Sequence, residues 1–568
     1  AGTYNIAMGE YALSSVNTGG SNIGIGRLAG INNTSANSNF YIGYAAGYAN
    51  QTGIYNTIVG NYSVAQSSGV VNFTAVTTLG WEAGYYATGS YNTFVGAEAG
   101  KGNSSTPHSS GQESVAIGYQ ALQNFTTGGA NVAIGYQAGN DITTGGNNVF
   151  IGKLAGDVLT AGSNNVVVGS GALGSADGLE RENIAIGFGA AGGINNDSAI
   201  RNVFIGEYAG YGGTGALNYS VAIGYRALDA TDSSGDASGV VAIGYYAGSA
   251  ITSGQYNTAI GYEAGKNQST ADGNTFVGYQ SGRQTTGDNN TALGKYTMYE
   301  GAGADGNTAI GSNALQNNTA DNNTALGYNA LNAATTGFGN VAVGANALLK
   351  ANHANAQYNV GIGDGVGSEL LNGYYNVLIG YASGNTLTSG GENTIIGHNC
   401  DVASGDNTNN IIIGNGLTAS DNDNRVYIGN DSSYIYNDFN SNATWTHSSD
   451  ERQKKEIKDD TLGLDFINDI RPVTFKHKSP SEFPKEWNAY NADDKEPMGG
   501  DKRIHGLIAQ EVKQALDNQG IDTFGGWGEE DDGRQHISFE SFVLPLINSV
   551  KELTEKNERL ENKINDLE

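Results

Sequence analysis

The sequence is poor in the residues that anchor most folds. It has one cysteine, Cys400, in 568 residues, so no intrachain disulfide framework exists. Six prolines leave few fixed kinks, and charged residues make up only 15% of the chain. Basic residues are scarcest of all: residues 1–440 carry 11 Lys and Arg against 29 acids. With no basic face, nucleic-acid binding by phosphate neutralisation is excluded. No apolar run is long enough for a helical membrane span, so none is expected. The seven histidines form no H-E-x-x-H, and Asp holds no fixed place that would suit a repeated calcium loop. No metal and no cofactor is expected. "GIGDGVG" at 361–367 opens no amphipathic helix and is not read as a phosphate loop. Cys400 is expected to be a packed thiol.

What is present is glycine, 86 of them, with 32 tyrosines and many Ile and Val. The glycines are periodic. Anchoring on the Gly that follows an aliphatic residue gives 25 copies from Gly9 to Gly429, and the commonest step is that from Gly261 to Gly278. The residue before the anchor is Ile, Val, Leu or Met in every copy, and Asn stands four before it in 20. A helix would need apolar residues every three to four positions, and none of these copies shows that. Each offers a short β-like run followed by turn material. A unit so short cannot bury a core alone, so the coils must stack. The reading is a parallel β-solenoid with like residues in columns. It expects the aliphatic residue before each anchor to form a dry seam, Asn to form amide ladders, and Gly to serve a left-handed or crowded corner. Copies with inserts are expected to extrude loops at 101–113 and 229–239, where binding chemistry tends to sit. One aliphatic seam is a thin core, and association of several chains about the long axis would cover it.

The stretches "NTAIGYEAG", "SVAIGYQAL" and "NVAIGYQAG" resemble the head repeats of trimeric autotransporter adhesins, and more closely the "NTAIG" repeats of phage tail-fibre-type proteins. The resemblance covers about residues 5–430. It implies an elongated trimeric β-roll, although the coil here is longer than the usual adhesin repeat.

After about residue 440 the repeat stops and Lys, Glu, Trp and Pro rise. Two domains are expected: a fibre over 1–440 and an α+β domain over 441–568. The motifs Ser449-Asp450-Glu451-Arg452-Gln453-Lys454, Ile457, Arg471-Pro472-Val473 and Gly506-Leu507-Ile508-Ala509-Gln510-Glu511-Val512 occur in order. Together they resemble the peptidase S74, endosialidase-type intramolecular chaperone, with Gln453 where that family often has an aliphatic residue. The resemblance implies a Ser–Lys dyad that cuts the chain once, with Ser449 as nucleophile, Lys454 as base, and the Ser448–Ser449 bond as target. A hydroxyl needs a neighbouring base, and Lys serves only when burial or charge lowers its pKa. The competing reading makes Ser449 a helix N-cap and Lys454 a solvated side chain. Val543, Leu546, Val550, Leu553, Asn557, Leu560, Ile564 and Leu567 follow a heptad, so residues 543–568 read as a short coiled coil with Asn557 setting register.

The expectation is a homotrimeric phage tail fibre, extracellular on the virion. It would meet a host-surface glycan or protein receptor and join tail or baseplate proteins through an N-terminal region preceding Ala1. Its only enzymatic act would be single-turnover autoproteolysis. The alternatives are a bacterial surface or secreted trimeric adhesin using the same chaperone, and a polysaccharide depolymerase fibre.

Overall fold

The computed structural model describes residues 2–66, 71–105, 108–212, 215, 217–230, 236–438, 442–447, 449–487, 489–497 and 502–567. Contacts divide the chain into two units, Ala1–Ser448 and Ser449–Glu568.

The first unit is a parallel β-solenoid. Its strands run from β1 (Ile6–Met8) to β25 (Arg425–Asn430), one per coil, nearly all three residues long. Each pairs in parallel with the strand of the next coil in strict register, as in Thr258↔Thr275, Ala259↔Phe276 and Ile260↔Val277. At about 4.8 Å per step, 25 coils extend roughly 120 Å. Two further strands, β26 (Ser433–Asp438) and β27 (Asn442–His447), continue the sheet in antiparallel fashion.

The dry column is not the one the sequence reading expected. Side chains alternate across a strand, and here the middle residue points inward. Ala259, Phe276, Ala292 and Ala309 are fully buried. The aliphatic residue before each Gly does stack on its counterparts, but on the outer face. Leu79 is 53% exposed, Leu293 46% and Leu326 44%. A continuous aliphatic ribbon therefore runs along the outside of the single chain.

The core is filled by volume complementarity between the strand's middle residue and the corner residue four after the anchor Gly. Where the strand carries Tyr41, Phe94, Phe150 or Phe276, the nearby corners are glycines, and a Cβ on Gly47, Gly100, Gly156 or Gly282 would sit 2.4–2.5 Å from the ring. In coils such as those of Ala309, Ala325 and Ala342 the corner supplies the bulk instead: Leu315, Leu331 and Leu348 are fully buried. Leu348 Cγ lies 2.7 Å from where a Cβ on Gly361 would stand.

Asparagine forms the expected ladder. Asn376 donates its backbone N–H and its Nδ2 to Asn359 Oδ1, both at 3.0 Å, and Nδ2 also donates to the Gly390 carbonyl at 2.9 Å. Asn340, Asn359, Asn376 and Asn393 are all fully buried, so each amide replaces water that the strand ends would otherwise need. The anchor Gly answers both demands placed on it. Gly261 has φ +136°, and a Cβ there would meet the Gly278 carbonyl oxygen at 2.3 Å. The corners also use non-glycine residues in the left-handed region, among them Tyr256 (φ 57°), Glu263 (φ 52°) and Leu315 (φ 50°).

Inserts leave the register intact. Thr93 pairs with Val115 although their anchors, Gly96 and Gly118, stand further apart in the chain than Gly261 and Gly278 do. Of the insert at 101–113, Ser109 forms a parallel bridge with Ala87, and its Oγ donates to the Phe125 carbonyl. The middle of the insert at 229–239 lies outside the described residues.

The second unit is small and mixes helices with two two-stranded sheets. Helix α1 (Leu464–Asp469), strand β28 (Val473–Phe475), strand β29 (Ile504–Gly506) and helix α2 (Ala509–Gln519) are followed by the hairpin β30 (Trp527–Glu529) and β31 (Gln535–Ile537). Helix α3 (Val543–Asn565) closes it with 23 residues. Leu462, Phe466, Val512, Ala515, Leu516 and Phe542 form its core. Asn548 Nδ2 on α3 donates to the carbonyls of Asp460 and Leu462, at 3.1 Å each.

Candidate functional site

The site begins at the first residue of the second unit. A single 3-10 turn, Glu451–Gln453, sets its geometry. Its N-cap is Asp450, not Ser449: the Asp450 carboxylate accepts the Arg452 backbone N–H at 2.9 Å and the Arg452 Nε at 2.9 Å. The Arg452 guanidinium holds the Asp450 carboxyl below its ordinary range. Ser449 is thus released from the capping role that the competing reading gave it. The turn brings the residue five positions on back to the start, and Lys454 Nζ donates to Ser449 Oγ at 2.6 Å. The two side chains named from the sequence therefore meet. Ser448, on the other side of the expected cut, lies outside the described residues.

A serine and an amine at hydrogen-bond distance can exchange a proton. In the single chain, however, both residues are exposed. Proton transfer from the hydroxyl needs a neutral amine, and burial is what favours that form. The geometry is in place, and the desolvation that would activate it must come from elsewhere.

The other two motifs are joined by the fold. Strands β28 and β29 are antiparallel, with Val473 opposite Gly506, so Arg-Pro-Val lies beside Gly-Leu-Ile-Ala-Gln-Glu-Val. Arg471 Nη2 then donates to Glu511 Oε1 at 2.5 Å, and Nε to Oε2 at 3.3 Å. The Arg471 guanidinium lowers the Glu511 carboxyl from its ordinary value. This link was not read from the sequence. Its signal was there, since the two separated motifs carry charges of opposite sign.

Helix α3 shows the heptad face bare. Val543, Leu546, Val550, Leu553, Leu560 and Ile564 are all exposed, whereas Pro545 and Ser549 on the other side are buried.

On the solenoid, the residue after the anchor is often Tyr, and these rings stack. Tyr225, Tyr245, Tyr262 and Tyr279 follow one another with centroids 5.3, 5.0 and 5.1 Å apart and planes within 14°. Their faces are spent on each other, so this column offers phenol edges and not open platforms for sugar rings. Among the described residues no group of three or more His, Cys, Asp or Glu is placed to hold a metal ion. None of the described helices is long and apolar enough to cross a membrane. Cys400 is buried, in the small-residue column of its coil.

Comparison with known proteins agrees with this geometry at one end of the chain. No curated protein and no solved structure matches the sequence. Residues 449–521 match the family Peptidase_S74, described as the chaperone of endosialidase. The match opens on Ser449, the residue at which the contacts divide the chain. The protein thus combines a long parallel β-solenoid with a C-terminal unit that is similar to the S74 chaperone family over residues 449–521.

Proposed function

We propose that the chain is the protomer of a homotrimeric surface fibre, most simply a phage tail fibre that meets a host receptor, and that its C-terminal domain templates assembly and is then cut away. The observation that carries this is the outer ribbon. Its aliphatic residues, stacked in register and many of them more than a third exposed, offer on the order of 1,000 Å² of contiguous apolar surface, above the few hundred usual on a monomer. The exposed heptad of α3 points the same way, since its apolar residues remain 44–62% open in the single chain. Three as the number of chains rests on the resemblance of the repeats.

Assembly also supplies what the dyad lacks. Burial of Lys454 between chains would favour its neutral form. Ser449 Oγ then gives its proton to Lys454 Nζ and attacks the carbonyl carbon of Ser448. The bond from that carbon to the Ser449 nitrogen breaks, the nitrogen takes a proton, and the resulting ester is hydrolysed by water. The cut happens once per chain and leaves the rod kinetically trapped as an oligomer.

The test is expression of the whole chain with native mass measurement. The expected result is a trimer of chains ending at Ser448 plus a released fragment of about 120 residues, by the position of the cut. Ser449→Ala should give an uncut trimer. A stable monomer refutes the fibre reading; a wild-type trimer that stays whole refutes the dyad. Oligosaccharide release from host polysaccharide would favour the depolymerase alternative, and secretion genes beside the coding sequence would favour the adhesin.

A further inference from the structure

Two outer corner positions lie two and five residues after each anchor Gly. In most coils they carry side chains, such as Gln137 and Asn140, or Tyr208 and Tyr211. In the coils anchored by Gly169 and Gly187, all four are glycine: Gly171, Gly174, Gly189 and Gly192. Four missing side chains in two adjacent coils leave a notch of about 310 Å³ in the edge of the solenoid.

Its walls are aromatic. A Cβ on Gly189 would meet Tyr208 Cε1 at 2.8 Å, and one on Gly192 would meet Tyr211 Cε2 at 3.1 Å, so the rings of the next coil lean over these glycines. Phe188, 53% exposed, meets Tyr208 edge-on at 5.3 Å, and Tyr208 meets Tyr211 edge-on at 5.2 Å. The Arg226 guanidinium, 5.3 Å from the Tyr208 ring centre, braces it from the coil beyond. Gly171 faces open space, with nothing within 4 Å of its missing side chain. Ser170, Ser175, Lys153 and Leu154 complete the lining, and no carboxylate is among it.

We propose that this notch is a subsite for one pyranose unit of a glycan. A rigid aromatic wall beside hydroxyls and an ammonium suits a ring that is apolar on its C–H face and polar at its rim. A peptide would need a free strand edge, and the local strand Val166–Val168 is paired on both sides. The absence of a carboxylate pair in the lining makes it a site of binding, not of hydrolysis. The inference rests on the surface-fibre reading for the source of the glycan, but its geometry belongs to one chain.

The experiment uses the full-length protein on an array of bacterial capsular and O-chain polysaccharides. Gly171→Gln refills the notch with a residue that other coils already hold at this left-handed corner, Gln120 and Gln137. Phe188→Ala removes part of the wall, and Lys153→Gln removes the ammonium. The expected result is glycan binding by wild type, with at least tenfold loss in Gly171→Gln and Phe188→Ala while native mass and circular dichroism stay unchanged. Loss in Lys153→Gln confined to carboxylate-bearing sugars would assign the ammonium to them, and uniform loss would assign it to ring hydroxyls. Equal binding by wild type and Gly171→Gln overturns the notch and leaves the fibre reading standing. No binding by wild type to any polysaccharide also overturns the notch. A monomeric native mass would count against the fibre reading alone.

Discussion

Replacing Phe276 by Ala tests the packing rule of the solenoid. Phe276 is fully buried, so its removal leaves a cavity in a coil whose neighbouring strands offer only Ala259 and Ala292. Such a truncation costs about 3–5 kcal/mol. The structure says where the lost volume should be returned. Gly265 lies one coil before, its missing Cβ 3.1 Å from Phe276 Cδ2. Between two alanine strands this corner can hold leucine, as Leu315 does between Ala309 and Ala325. Gly265→Leu alone should destabilise, because the new side chain meets the ring. Phe276→Ala with Gly265→Leu should recover at least half of the loss, less about 1 kcal/mol for a leucine in the left-handed region. That is a coupling of about 2 kcal/mol, within the range for residues in contact. A stack of coils opens piecewise, so the assay is hydrogen exchange followed by mass spectrometry on peptides spanning 257–294. Phe276→Ala should speed exchange there by roughly two hundredfold to a few thousandfold and leave peptides in distant coils unchanged. If the double variant exchanges as fast as the worse single one, the exchange of volume between strand and corner is refuted.

Other perturbations read separate parts of the molecule. Asn359→Ala removes one rung of the buried amide ladder and leaves the Asn376 backbone N–H without its acceptor; about 1–3 kcal/mol of local stability should be lost, seen as faster exchange at 360–379. Glu180 is fully buried in a column that is otherwise mostly Gly or Ala, its Oε1 has no hydrogen-bond partner, and burial raises its pKa. Folding therefore favours the protonated carboxyl relative to the unfolded chain. That stability is complete below the unfolded value near 4.3 and fades as pH rises through the higher folded value. Exchange at 184–186, corrected for intrinsic rate, should speed from pH 4 to pH 8, and Glu180→Gln should remove that dependence. Val550→Asp places a charge in the exposed heptad of α3 and should abolish chain association in native mass spectra, with the circular dichroism of the monomer retained.

Much of this architecture is legible in the residues. The spacing of Gly261 and Gly278 gives the coil, the Asn column gives the ladder, and Ser449 and Lys454 stand at a separation that one turn closes. The direction in which the strands face is harder to read. In "TAI" the large aliphatic residue looks like the core and the alanine like filler. Only the corner leucine, four residues after Gly, reveals that the alanine faces inward and makes room. The left-handed corners at Tyr256 and Glu263 are also invisible to local propensity, which expects Gly or Asn there. Stacking overrides it, since the same backbone path repeats in the coils on either side. The cap at Asp450 in place of Ser449 is a difference of one residue, and it turns on which side chain reaches the Arg452 N–H. The notch at Gly171 is easily missed because those glycines vanish among 86.

The strict pairing across inserts has an evolutionary side. Thr93 finds Val115, and Val221 finds Val241, whatever the chain does in between, because alignment is enforced locally by each coil on the next. Whole coils can then be duplicated or deleted without retuning the rest. Reach becomes a freely adjustable quantity, and a lineage could lengthen its rod by copying one coil at a time.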